Sequence, residues 1–93
     1  MELTYIRIPL YDLYYIDNMG DIKNSNFLNI DYYKHYDLEI IKGIFQQLEW
    51  SVKNPNYDFS LLLPDLPFNN KDIYEFLVNI HSFMLKNKKL LGL

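Results

Sequence analysis

The sequence has no cysteine, only three glycines and only two histidines among its 93 residues. Without cysteine there are no disulfide bonds and no cysteine-based zinc sites, which agrees with a reducing compartment. The glycines are isolated at positions 20, 43 and 92, so there is no glycine-rich loop to hold a phosphate. No run approaches the roughly 18 apolar residues of a membrane-spanning helix, and the N-terminus lacks the pattern of a signal peptide. We therefore expect a soluble, cytoplasmic protein that does not associate with membranes.

Hydrophobic residues make up 49% of the chain, which is enough to form one core in a domain of this size. There is no internal repeat, no low-complexity tract and no long linker. The sequence therefore predicts a single domain over residues 1–93.

All the acidic residues lie before the last eight residues of the sequence. Residues 1–85 carry all 12 acidic side chains and six basic ones, which leaves a net charge of −6. Such a surface repels nucleic acid and attracts basic proteins, so we expect no direct contact with nucleic acid. The other lysines, Lys86, Lys88 and Lys89, are expected in the last turn of a helix, where they complement its dipole.

Two segments have helical periodicity. The first is predicted at Asp37–Lys53, with Asp37 as its cap, and the second at about Lys71–Asn87, with Asn69 or Asn70 as its cap. In the first helix, Trp50 lies nearly opposite the apolar stripe and on the same face as Gly43. We interpret Trp50 as covered by another segment, which Gly43 allows to approach closely.

The remaining segments have weaker patterns. The stretch ELTYIRI favours an extended conformation. Pro9–Met19 favours a helix that Gly20 ends, although its part LYDLYYI would also suit a strand. Asp21–Tyr36 allows a loop with a short helix near Phe27–Tyr33. The connector Asn54–Asp72 contains three prolines and seven large apolar residues, which we expect to cover the helix pair. The predicted fold is mainly α: a small bundle of three to four helices with a short extended N-terminal segment.

The two histidines give little support for catalysis or metal binding. A catalytic site would combine His35 with Asp37 or Asp31, but residues 35 and 37 do not face each other on a helix. No cluster of basic residues is available to hold a phosphate in the transition state. His81 is expected to be partly buried and hydrogen-bonded to the connector. We therefore predict no catalytic residues, no metal ligands, no cofactor and no enzymatic activity.

Carboxylates alternate with tyrosines in the first half of the chain. Carboxylates can occupy the phosphate positions of a basic site, and tyrosines bury a large area with few rotatable bonds. This mixture is typical of a surface that inhibits a basic protein, although the same tyrosines would also suit a core. The predicted partner-binding residues are Asp12, Tyr14, Tyr15, Asp17, Asp21, Asp31, Tyr32 and Tyr33.

The run WSVKNPNYDFSLLLPDLPFNNKDIYEFL, residues 50–77, resembles the C-terminal part of small immunity proteins from contact-dependent growth inhibition systems. Its most specific elements are NPNYDFS at 54–60 and LPDLPF at 63–68, followed by a helix. The resemblance covers roughly the last 45 residues and does not extend to the N-terminal half. It implies a cytoplasmic protein that binds one cognate toxin domain, of the ribonuclease kind, and blocks its active site or substrate groove. We expect a monomer in a 1:1 complex with that toxin.

Two other functions share the same sequence features. A small acidic inhibitor or adaptor from a mobile element would have the same size and charge, and its genomic position would distinguish it. A structural module could instead self-associate through Trp50 and the connector, and light scattering would reveal it.

Overall fold

The computed structural model describes residues 2–93, of which most are helical and none forms a strand. This confirms the predicted small helical domain. The α-helices are α1 (Arg7–Leu10), α2 (Leu38–Val52), α3 (Asn70–Lys86) and α4 (Lys88–Leu91). The 3-10 helices are Tyr11–Tyr15, Met19–Asn24, Asn26–Leu28, Ile30–His35 and Phe59–Leu61. No helix within residues 2–93 combines the length and the apolar character needed to cross a bilayer.

The pair α2 and α3 forms the centre of the core, and both helices lie within one residue of their predicted bounds. Their apolar stripes face each other, so Ile44, Leu48, Phe76 and Ile80 have no exposed surface. Asp37 has the extended backbone of an N-cap residue, but its side chain makes no capping hydrogen bond. The predicted capping interaction at Asp37 is therefore wrong, although the helix begins where expected.

The start of α3 is fixed by two asparagines. Asn69 Oδ1 accepts a hydrogen bond from the Asp72 amide at 2.9 Å, as predicted for the cap. Asn70 holds the connector, because its Oδ1 accepts from the Phe59 amide at 2.6 Å and its Nδ2 donates to the Tyr57 carbonyl at 2.8 Å. Phe59 is buried against α3, and Leu63 is buried as well. The expected cover is only partial, because Leu61 is 78% exposed and Tyr57 is also exposed.

The N-terminal segment crosses α2 and does not form a strand. Gln47 Oε1 accepts hydrogen bonds from the amides of Tyr5 (2.8 Å) and Ile6 (3.1 Å), and its Nε2 donates to the Glu2 carbonyl at 2.8 Å. A Cβ atom at Gly43 would lie 2.5 Å from the Tyr5 ring. Gly43 therefore does permit a close approach, but the covering segment is the N-terminus. Trp50 is half-buried and contacts Tyr57 of the connector, with ring centroids 5.3 Å apart.

The helix predicted at Pro9–Met19 begins earlier and ends earlier than expected. It starts at Arg7, continues from α1 into the 3-10 helix Tyr11–Tyr15, and ends at Ile16, whose backbone is extended. Pro9 fits in the first turn because no intrahelical partner for its nitrogen is needed there. Arg7 and Ile8, predicted to be extended, are helical, and Gly20 lies inside the 3-10 helix Met19–Asn24.

Short 3-10 helices occupy most of the segment from Asp21 to Tyr36, so the short helix predicted near Phe27–Tyr33 is present and the loop is smaller than expected. The 3-10 helix Asn26–Leu28 places Phe27 in the core, and Ile30–His35 places Tyr33 beside it. The two rings meet edge to face, with centroids 5.6 Å apart. Tyr33 also stacks on Phe83 of α3, with ring centroids 6.1 Å apart, so aromatic packing joins this segment to the helix pair.

Candidate partner-binding surface

An acidic pocket of about 430 Å³ lies between the first two 3-10 helices. The side chains of Asp12, Asp17 and Asp21 line it, together with Tyr15. Four of the predicted partner-binding residues therefore meet at one concave site. No lysine or arginine is among its lining residues, so the site is negatively charged.

Asp12 has a structural role in this pocket. Its Oδ2 accepts a hydrogen bond from Ser25 Oγ at 2.6 Å and another from the Asn26 amide at 3.0 Å. Ser25 is buried, and its Oγ also accepts from the Phe27 amide. Asp12 thus joins the 3-10 helix Tyr11–Tyr15 to the segment that carries Phe27. Among the described residues, no hydrogen bond or ion pair engages the carboxylates of Asp17 and Asp21.

Tyrosines on the first 3-10 helix extend the pocket into an exposed aromatic surface. Tyr15 is 88% exposed and projects beside Asp12 and Asp17, while the Tyr11 and Tyr14 rings lie 6.2 Å apart. Tyr14 Oη donates a hydrogen bond to the Pro64 carbonyl. This contact attaches the connector to the aromatic surface, which we define as Tyr11, Tyr14 and Tyr15.

The second predicted group, Asp31, Tyr32 and Tyr33, does not belong to this pocket. Tyr33 is only 2% exposed, donates from its Oη to the Phe27 carbonyl at 2.8 Å, and stacks on Phe83. Burial, with Asp12 nearby, raises the pKa of Tyr33. Tyr33 is therefore a core residue, and the prediction that it lies on the partner-binding surface is wrong.

The neighbours of Tyr33 also contribute less surface than expected. Tyr32 is half-buried, with its ring edge-on to Phe27 at 5.1 Å. Asp31 is exposed but forms an ion pair with Lys34 at 3.0 Å. Desolvation, then a hydrogen bond with Tyr32 and the nearby charge of Asp12, raise the pKa of Tyr36 to about 12. The rings of Tyr32 and Tyr36 pack on each other and on Phe27, and both remain partly exposed.

Three polar residues of the pocket were not predicted: Asn24, Ser25 and Asn26. They follow Asp21 in the sequence and bring amide and hydroxyl groups next to the carboxylates. The only signal available beforehand was the run of small polar residues that predicted a loop there.

The histidines occupy unrelated positions. His35 is exposed and contacts Tyr32 edge to face at 5.4 Å. His81 Nε2 lies 3.0 Å from Glu49 Oε2 of α2, so its predicted hydrogen bond to the connector is wrong. Within residues 2–93, no group of three or more histidine, aspartate or glutamate side chains is arranged to hold a metal ion.

Comparisons with protein-family models, curated proteins and solved structures found no match for this chain.

Proposed function

We propose that this chain is an immunity protein of the contact-dependent growth inhibition type. In this proposal it binds a basic toxin domain, of the ribonuclease kind, and covers its active site or substrate groove. The observation that carries the proposal is the acidic pocket, where Asp12, Asp17 and Asp21 meet beside the exposed Tyr15. The sequence resemblance over residues 50–77 supports the same class of function.

The carboxylates of the pocket match the charge of the phosphate groups that a nuclease active site binds. A ribonuclease groove presents cations to phosphate groups, and carboxylates held on a rigid partner can take the places of those phosphates. Asp17 and Asp21 are the residues best suited to this role, because neither carboxylate is used within the described fold. Asp12 adds negative charge but is already hydrogen-bonded to Ser25 and Asn26.

The aromatic surface supplies contact area next to the charge. Tyr15 is nearly fully exposed, and a tyrosine loses few rotamers when a partner covers it. Tyr14 is fixed by its bond to the Pro64 carbonyl, so part of the surface is preorganised. A partner could then bury the rings while its cations enter the pocket.

Co-expression with the neighbouring toxin is the first test. If the proposal is correct, the chain restores growth to cells that produce the toxin domain encoded by the adjacent gene, and the two proteins co-purify in a 1:1 complex. If cells containing the folded chain still die, the chain is not the immunity protein for that toxin.

Charge reversal tests the surface. Replacing Asp17 by Lys should slow association with the toxin several-fold at low salt and less at high salt, because the carboxylate steers the encounter. Glu75→Lys is the matched control, since Glu75 is exposed on α3, outside the pocket, and changes the net charge equally. Equal association rates for both variants would show that the interface with the toxin does not include the acidic pocket.

One observation favours self-association as a second candidate function. Leu61 in the connector is 78% exposed and Tyr57 is partly exposed beside Trp50. Light scattering at micromolar concentration, repeated with Leu61→Ser, decides this: a dimer that Leu61→Ser dissociates supports self-association, and a strict monomer removes it.

A further inference from the structure

A second pocket, of about 490 Å³, lies between α2 and the C-terminal residues. Lys42, Phe45, Gln46 and Glu49 of α2 line one side, and Lys88 and Leu93 line the other. Its volume is within the range of sites that bind small molecules. Its lining combines an aromatic ring and an aliphatic side chain with two ammonium groups, one carboxylate and one amide.

The position of Lys88 differs from the sequence-based expectation. It was expected in the last turn of a long helix, where a cation complements the dipole. Lys88 is instead the first residue of the four-residue helix α4, after Asn87 and beyond the end of α3. Its Nζ lies 5.5 Å from the centroid of the Phe45 ring, at the pocket.

The two ammonium groups are available to an anion. Within residues 2–93, the ion pairs join Lys34 to Asp31 and His81 to Glu49, so no carboxylate lies within 4.0 Å of Lys42 or Lys88. The nearest acidic residue of the lining, Glu49, is bonded to His81. His81 also stacks on Phe45, with ring centroids 5.7 Å apart, which fixes the ring that forms the apolar wall.

We propose that this pocket binds a small apolar carboxylate. The apolar body of the ligand contacts Leu93 and the small accessible part of Phe45, which is 8% exposed, and its carboxylate lies between the ammonium groups of Lys42 and Lys88. Charge complementarity supports this choice, because the lining holds two lysines and one acidic side chain, Glu49. The site is separate from the acidic pocket, so the proposal does not depend on the immunity function.

The test compares three probes with one carbon skeleton: 3-phenylpropionate, 3-phenylpropan-1-ol and 3-phenylpropylamine. Each is titrated into the full chain labelled with ¹⁵N, and amide chemical shifts are followed by NMR. The carboxylate should shift the amides of Lys42, Phe45, Gln46 and Leu93 in a saturable way. The alcohol should bind about 3- to 10-fold more weakly, since two exposed charge pairs contribute modestly. The amine should bind more weakly still.

Variants then separate the charge from the apolar contact. Combining Lys42→Gln with Lys88→Gln should weaken binding of the carboxylate to the level of the alcohol and leave the alcohol unchanged. Lys89→Gln is the control, because Lys89 follows Lys88 on α4 but does not line the pocket. The proposal is overturned if the alcohol binds as tightly as the carboxylate, if the double variant binds normally, or if the shifts map elsewhere.

Discussion

Gln47 fastens the N-terminal segment to α2, and its replacement by alanine gives the sharpest test of the fold. Gln47 is only 8% exposed and makes three hydrogen bonds to the backbone of Glu2, Tyr5 and Ile6. Each such bond contributes about 0.5–1.5 kcal/mol net, so losing all three lowers the free energy of unfolding by about 2–4 kcal/mol. The higher helix propensity of alanine offsets only a few tenths of a kcal/mol of this loss, as an order of magnitude.

This loss is measurable by urea denaturation. Trp50 is the only tryptophan and provides the fluorescence signal, and the urea midpoint should fall by roughly 2 M. Hydrogen exchange should accelerate at the amides of Tyr5 and Ile6 before any other region is affected.

The neighbouring residue provides the control. Gln46 is exposed, so Gln46→Ala should change the free energy of unfolding by no more than about 0.5 kcal/mol. If Gln47→Ala is no more destabilising than Gln46→Ala, the hydrogen bonds of Gln47 do not hold the N-terminal segment and the reasoning fails.

Three further predictions concern packing, pH and the pocket. Gly43→Ala should destabilise the fold by about 1–3 kcal/mol, because the added Cβ meets the Tyr5 ring. In a Tyr5→Ala background, where that ring is absent, the same substitution should stabilise the fold by about 1 kcal/mol. A change in the free energy of unfolding with the same sign in both backgrounds would contradict this contact. The raised pKa of Tyr36, about 12 in the fold against 10.0, makes stability fall between pH 10 and pH 12, because the unfolded chain loses its proton first. Denaturation across that range should show a smaller fall for Tyr36→Phe, and an equal fall would refute the assignment. Asp12→Ala should cost about 1–3 kcal/mol, and Asp17→Ala no more than about 0.5 kcal/mol in the same assay; equal losses would contradict the structural role of Asp12.

The long helices could be predicted because their information is local. Apolar residues recur every three or four positions in α2 and α3, and Asn69 caps α3 as its residue type indicates. The role of Gln47 could not be predicted, since it depends on the N-terminus returning across α2. His81 is similar, because its partner Glu49 lies on another helix.

The first third of the chain was harder to predict because 3-10 turns follow no 3.6-residue period. Asp12, Asp17 and Asp21 are close in sequence, so their meeting in one pocket could be anticipated. Tyr32 and Tyr33 are adjacent and equally aromatic, yet only Tyr33 is fully buried. Both rings contact Phe27, but only Tyr33 also stacks on Phe83 of α3 and donates a hydrogen bond to the Phe27 carbonyl. These contacts depend on the tertiary fold, and no pattern in the sequence records them.

The carboxylates of the acidic pocket differ in whether they contribute to the fold. Asp12 is tied to Ser25 and Asn26, whereas Asp17 and Asp21 hold nothing together within the described chain. Substitutions at positions 17 and 21 should therefore change the charge of the pocket without loss of structural hydrogen bonds, whereas a substitution at position 12 should alter both. Under the proposed function, recognition could then diverge through positions 17 and 21 while position 12 stays fixed by its role in the fold.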